Sequence, residues 1–223
     1  MITNISFDLW LTLIRSHPQF KLKRAEMIAD SCNANGLKAE QIDIIIRNMD
    51  KVFDRYNEKS GKKIPASLMY QKVLSEINKG KREINVEEAK EVERQANSLF
   101  IEYSPQFLND DIPCILDDLK NDGKILNLAS NTGFVEGVTL RKVLIKSNIL
   151  KYFSFCIFSD EVQTSKPSAT FFQEIYNQAN VSKNKILHIG DNKKTDYQGA
   201  LDFGFSALLI TSNYTINDIR KRL

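Results

Sequence analysis

A chain of 223 residues is long enough for one α/β domain carrying a sizeable insertion, and a net charge of +3 is too small to argue for a nucleic-acid partner. No apolar run reaches the ~20 residues needed to cross a bilayer, and no basic segment followed by an apolar one marks a signal peptide. Cys32, Cys114 and Cys156 lack the spacing of a metal site and are expected to be reduced thiols of a cytoplasmic protein.

Residues 2–10 alternate toward a short buried strand, with Asp8 near its C-terminal end. From Pro18 to Tyr103 the spacing turns helical. FKLKRAEMIADSCNANG places apolar residues three and four apart and stops at Asn35-Gly36, a helix-ending signal. AEQIDIIIRNMDKVFDRY carries a stripe through Ile42, Ile45, Ile46, Met49 and Phe53. PASLMYQKVLSEINKG and NVEEAKEVERQANSLFIEY predict two more helices. Four helices with no strand between them imply a helical cap over residues 15–104, with the apolar stripes as its core. The small surplus of positive charge lies there, 17 Lys/Arg against 14 Asp/Glu. That is compatible with an anionic ligand and equally with a solvated helical surface.

After Tyr103, helix and strand alternate. IPCILDDLKND predicts a helix ending at Gly123, followed by the strand KILNLAS; further helices lead to FCIFSD, KILHIGD and SALLIT. Short apolar strands separated by helices imply a Rossmann-like parallel sheet covered on both faces, built from residues 1–14 and 105–223. Ligands bind such sheets at the carboxyl ends of the strands. Asp8, Ser130, Asp160 and Asp191 all fall at or just beyond those ends and read as an active-site constellation.

Four segments in this order, FDLWLTL, LASNTG, SKPSATFF and IGDNKKTDYQGA, resemble the signature motifs of the haloacid dehalogenase superfamily. The likeness is to the group with a helical cap inserted after the first strand, and it covers essentially the whole chain. It implies a hydrolase in which Asp8 is the nucleophile and forms a covalent intermediate, while Thr12 orients it. Ser130, with Asn131 beside it, would hydrogen-bond a phosphoryl oxygen. Lys166, its backbone restricted by Pro167, would neutralise both nucleophile and incoming anion. Asp191 and Asp196 join Asp8 to make three carboxylates in one small volume, which repel one another unless a cation is present. Mg²⁺ meets that need, and the resemblance adds the backbone carbonyl of Trp10 to its ligands.

Trp10 is also the main departure. The family's phosphatases carry Asp two residues after the nucleophile, to protonate the leaving alkoxide and later to help water attack the aspartyl-phosphate. An indole does neither, and such assistance is worth roughly 10²–10⁴ in rate. Leu11 stands where the family usually has Gly. His17 reads as linker surface and His188 as a residue packed under the sheet, so neither replaces the acid. Two other readings stay open: a 2-haloacid dehalogenase and a catalytically silent phospho-ligand binder. Dehalogenases also lack the second Asp, yet need no metal and have small neutral groups in place of Asp191. Their cap arginine has counterparts by type alone in Arg24, Arg47 and Arg55. The expectation is a Mg²⁺-dependent phosphohydrolase acting on a small phosphorylated or other anionic molecule, weak or confined to good leaving groups.

Overall fold

A computed structural model describes residues 1–211 and 215–221. The first strand, β1 (Asn4–Phe7), is buried at all four positions, because it runs up the middle of the sheet. The chain then turns into the two-residue β2 (Ile14–Arg15) and enters four helices: α1 (Phe20–Ser31), α2 (Ala39–Ser60), α3 (Ala66–Ile77) and α4 (Val86–Glu102). It returns through β3 (Gln106–Phe107), which pairs antiparallel with β2, Ile14 facing Phe107 and Arg15 facing Gln106. This ribbon joins the two ends of the helical insert. Strands of two residues carry no alternation, so the sequence pattern does not predict them.

The insert departs from its pattern in two places. α1 stops at Ser31, ahead of Asn35-Gly36, because the Asn78 side chain takes over the following backbone. Its amide donates to the Cys32 carbonyl at 3.0 Å and accepts from the Ala34 N–H at 2.7 Å. α2 continues past its apolar stripe to Ser60 and ends on Gly61, whose φ of 69° is left-handed. Inside the insert, Ile28, Ile46, Tyr70, Val73 and Ala89 form a buried cluster of their own.

The remainder alternates: α5 (Ile112–Asn121), β4 (Ile125–Ser130), α6 (Gly137–Lys146), β5 (Phe153–Phe158), the single turn α7 (Ser159–Val162), α8 (Ala169–Ala179), β6 (Ile186–Gly190), a π-helical turn at Lys193–Gln198, α9 (Gly199–Phe203) and β7 (Ser206–Leu209). The strands form one parallel sheet in the order β5-β4-β1-β6-β7. One face packs Ile5, Leu116, Leu140 and Phe158; the other packs Ala129, Phe171, Phe172 and Ile175. Covered on both sides, the inner strands have no solvent face, so their polar residues Asn4, Ser6, Asn127 and His188 are buried along with the apolar ones.

Among the contacts that fix the insert against the sheet, two come from the segment just after α2. The Gly61 carbonyl accepts from the Ser165 N–H at 3.0 Å and from the Thr164 hydroxyl at 2.9 Å. The buried Lys63 ammonium donates to the Gly133 carbonyl at 3.2 Å. Both land on loops that leave the carboxyl ends of strands. Among the described residues no helix is long and apolar enough to cross a membrane.

Candidate active site

Asp8 is the first residue beyond β1, and its N–H continues the ladder by donating to the Ile189 carbonyl at 2.8 Å. The chain then folds sharply: the Leu13 and Ile14 N–H groups both donate to the Leu9 carbonyl, at 2.9 and 3.0 Å. Leu11, in this turn, has a φ of 55°, a left-handed conformation that costs a side-chain-bearing residue about 1–2 kcal/mol. The turn aims Asp8 into a cleft between the sheet and the insert. Its cavity of about 570 Å³ is lined by Asp8, Trp10, Lys166, Asp191 and Asp196 from the sheet side and by Arg24, Asp50 and Asp54 from the insert.

Lys166 lies at the centre. It is fully buried, and its ammonium is 2.7 Å from Asp8 Oδ1, 2.6 Å from Asp196 Oδ1 and 2.7 Å from the Ala129 carbonyl it donates to. Its backbone is held by Asn131, whose amide accepts from the Lys166 N–H at 2.8 Å and donates to the Lys166 carbonyl at 3.0 Å. The Lys166–Pro167 peptide is cis. Thr12 donates to Asp8 Oδ2 at 3.3 Å. Asp196 accepts from the Asn192 N–H at 3.0 Å, and the buried His188 reaches it at 3.4 Å through Nε2 while Nδ1 meets the Ser6 hydroxyl at 3.1 Å.

One carboxylate oxygen from each of Asp8, Asp191 and Asp196 lies within 4.8 Å of the others. Two of these acids, Asp8 and Asp196, pair with the one ammonium, and Asp191 does not. Burial, reinforced by Asp196, raises the Asp8 carboxyl to about 7 despite the opposing pull of Lys166. Asp191 is likewise raised by burial and by Asp196. Asp196 is also buried, but Lys166 and His188 outweigh that and hold it well below the usual carboxylate range. Asp196 and Asp8 keep buried Lys166 charged, raising its pKa against the effect of burial. The trio is therefore short of positive charge, and its all-oxygen donor set suits a hard divalent cation.

Two expected residues are placed differently. Ser130 ends β4 fully buried, off the cavity wall, with its hydroxyl donating to the Asn131 carbonyl at 3.2 Å. Asp160 does not join the constellation. It follows β5 into α7 and accepts from the Gly137 N–H at 3.0 Å, capping α6, because the orphan amide of a helix start is the nearer partner. His17 sits outside the cleft, its ring 5.6 Å from that of Tyr103. The wall from α1 and α2 and the support of Asp196 by His188 were not evident in the sequence. A polar residue on a helix face, or in a strand, carries no mark of which cavity it meets.

These observations define a carboxylate-based hydrolase site at the strand ends of a parallel sheet. The chain belongs to the haloacid dehalogenase-like hydrolase family, whose model matches residues 2–204. It is 31% identical over 100 residues to the glyceraldehyde 3-phosphate phosphatase of Methanothermobacter thermautotrophicus, covering 44% of this chain and 42% of that one. It is 35% identical over 75 residues to the pyrimidine 5′-nucleotidase PynA of Streptococcus pneumoniae, 33% of this chain and 32% of that one. The matched stretches thus span less than half the length of these relatives. In fold it is similar to the magnesium-bound HAD-hydrolase YfnB of Bacillus subtilis, with a TM-score of 0.75, 17% identity and coverage of 96% and 91% of the two chains.

Proposed function

We propose that the protein is a Mg²⁺-dependent phosphohydrolase that works through an aspartyl-phosphate, with the helices of residues 15–104 acting as a cap. The gathering of the Asp8, Asp191 and Asp196 carboxylates, with a single ammonium paired to two of them, carries this reading. The three carboxylates and the Trp10 carbonyl would hold the ion, which when bound supplies charge that polarises a phosphoryl oxygen. Small phosphorylated molecules are the substrate class, as the names of the two relatives suggest.

The chain's own residues divide the work. Thr12 holds Asp8 by one oxygen, so the attack on phosphorus starts from a fixed carboxylate. A bond forms from Asp8 to phosphorus and the ester oxygen leaves with its electron pair. Lys166 keeps its proton and offsets negative charge at the transferring group. Asn131 fixes the Lys166 backbone, and Ser130, buried off the cavity wall, steadies the strand end that carries Asn131. Water then attacks phosphorus, the bond from phosphorus to the Asp8 oxygen breaks with its electron pair returning to the carboxylate, and the water proton leaves on the released phosphate. Trp10 offers no proton to the leaving oxygen, so esters of acidic alcohols, such as aryl phosphates, are favoured.

Trp10 is also the observation that favours a dehalogenase, since halide leaves unprotonated. Asp191 opposes it, because a further carboxylate repels a haloacid. A panel of phosphate esters and 2-haloacids, each with Mg²⁺ or chelator, separates the readings. Expected is phosphate release with Mg²⁺ alone, faster from aryl than from alkyl esters. Chloride release under chelator would establish the dehalogenase instead, and Mg²⁺-dependent retention of an ester without turnover the silent binder.

A further inference from the structure

Three buried polar side chains stand in a row across the middle of the sheet. Ser6 on β1 is level with Asn127 on β4 to one side and with His188 on β6 to the other. Side chains at one level of neighbouring parallel strands point to the same face, about 4.8 Å apart. All three are fully buried. The His188 ring stands edge-on to Phe172 of α8 at 5.5 Å, so the row lies under an apolar layer and away from water. His188 Nδ1 is 3.1 Å from the Ser6 hydroxyl, and Nε2 is 3.4 Å from Asp196 Oδ1. Asn127 closes the other end, and neither atom of its amide has a hydrogen-bond partner. A buried amide in that state is costly, and an apolar side chain in its place would carry no such cost.

The direction of the hydrogen bonds follows from the carboxylate end. An ionised carboxylate only accepts, so Nε2 carries a proton. In the neutral ring Nδ1 then accepts, and the Ser6 hydroxyl is its donor. With its hydrogen spent on His188, Ser6 Oγ is left to accept, and the unpaired Asn127 NH₂ is the donor level with it. Asp196 gains an anchor of a different kind from its other two. Its Oδ1 also meets the Lys166 ammonium at 2.6 Å, and its Oδ2 accepts from the Asn192 N–H at 3.0 Å. Lys166 is shared with the attacking Asp8, and Asn192 lies in the same turn as Asp196. His188 alone ties Asp196 to the strand register.

We propose that Asn127, Ser6 and His188 form a one-way chain of hydrogen bonds, each donating to the next and the last to Asp196, that pins this carboxylate to the sheet and sets the affinity for the divalent ion. None of the three lines the cavity, so they are positioning residues. The proposal rests on the phosphohydrolase reading in taking Asp196 as a ligand of that ion.

The first test needs no metal. Nitrogen-15 NMR reads which imidazole nitrogen carries the proton, and the chain has two histidines, of which His17 lies outside the sheet. Wild type should show His188 protonated at Nε2 with Nδ1 accepting, and Ser6→Ala should remove the signature of that accepted bond. A proton on Nδ1 in wild type would reverse the chain and overturn the proposal without recourse to any variant.

The second test is the Mg²⁺ dissociation constant, read from the fluorescence of Trp10, the one tryptophan, which lines the cavity. Outer partners of metal ligands are typically worth about 10–100-fold in affinity. His188→Leu should therefore weaken Mg²⁺ at least about tenfold. His188→Gln, whose NH₂ reaches the place of Nε2, should restore most of that loss, and His188→Asn, whose amide reaches the place of Nδ1, should not. Asn127→Leu should weaken Mg²⁺ about threefold, the scale of one neutral hydrogen bond. An Asn127 with no part in the chain gives the opposite result, a higher Tm in Asn127→Leu with Mg²⁺ binding unchanged. That result, or one affinity across the His188 series, would overturn the proposal. If no ester is turned over while Mg²⁺ affinity follows the series, the chain of hydrogen bonds stands and the hydrolase reading falls.

Discussion

The indole of Trp10 lies 5.9 Å from the ring of Phe100, centroid to centroid, tilted by 57°. Phe100 belongs to α4 and packs in turn on Phe20 of α1 at 5.1 Å. The position where the family's phosphatases keep an acid is here a packing position between the turn after β1 and the helical insert. Trp10→Asp should therefore have two opposed effects. Hydrolysis of an alkyl phosphate should rise by about 10²-fold as a proton donor returns. Stability should fall by about 2 kcal/mol, since Trp10 is half-buried and loses part of what a core tryptophan would. Parallel alkyl and aryl assays with a urea titration check both. An unchanged alkyl rate would move the defect elsewhere, to the left-handed Leu11 for instance.

Divalent-ion binding has a readout that needs no substrate. Because ligation favours the folded state, saturating Mg²⁺ should raise Tm by about 5–10 °C, as expected near 100 times Kd for a chain of this size. Asp191 is the most exposed of the three carboxylates and makes no ion pair with Lys166. Asp191→Asn should thus leave the Lys166 contacts in place while removing most of the Mg²⁺ shift. A shift of equal size in the variant would mean that the ion binds somewhere else.

Much of this site is local in the sequence, which is why it could be read there. Asp8 and Asp191 each directly follow a strand, Lys166 and Asp196 lie in the loop or turn beyond one, and strand ends of a parallel sheet converge whatever the intervening chain does. Asp160 satisfies the same rule and still caps α6, because the rule gives position and not side-chain direction. Ser130 shows that limit too, its hydroxyl turned to a neighbouring carbonyl. The β2–β3 ribbon depends on partners 91 and 93 residues apart in register, and the early end of α1 on one 46 residues away, and no short window of sequence contains both. Arg24 was one of three arginines alike by type; only the packing of Phe20 and Phe134 around it sets it apart.

The insert contains a pH-sensitive liability away from the cleft. Burial raises the Glu93 carboxyl to about 7, with Glu136 adding to the rise and Lys63 opposing it. The folded protein thus holds this proton more tightly than the unfolded chain, whose glutamate titrates near the ordinary 4.5. The penalty for ionising Glu93 is absent below that value, grows as pH rises toward 7 and is complete above it. Glu93→Gln should raise Tm at pH 8 by about 1–3 °C, a gain kept small by partial solvent access, and should change it little at pH 4.5. A gain of the same size at both pH values would assign the effect to packing.

Gly190, the last residue of β6, sits against the side chain it helps to place. A Cβ there would come within 2.4 Å of Asp196 Cγ and 2.6 Å of its Cβ, too close for any rotamer adjustment to relieve, since the base of the aspartate is itself in the way. Gly190→Ala must therefore push Asp196 from its 2.6 Å contact with Lys166 and its 3.0 Å bond from the Asn192 N–H. Breaking a buried ion pair on one side costs about 3–5 kcal/mol, and here it also separates one carboxylate from the trio. The variant should unfold at lower urea and show no Mg²⁺ shift in Tm. Its phosphatase activity should drop by about 10²-fold or more, as misplacement near 1 Å does in a positioned site. A stable variant that keeps the Mg²⁺ shift would mean that Asp196 is free to move without consequence, and the close contact with Gly190 would then have no part in building the site.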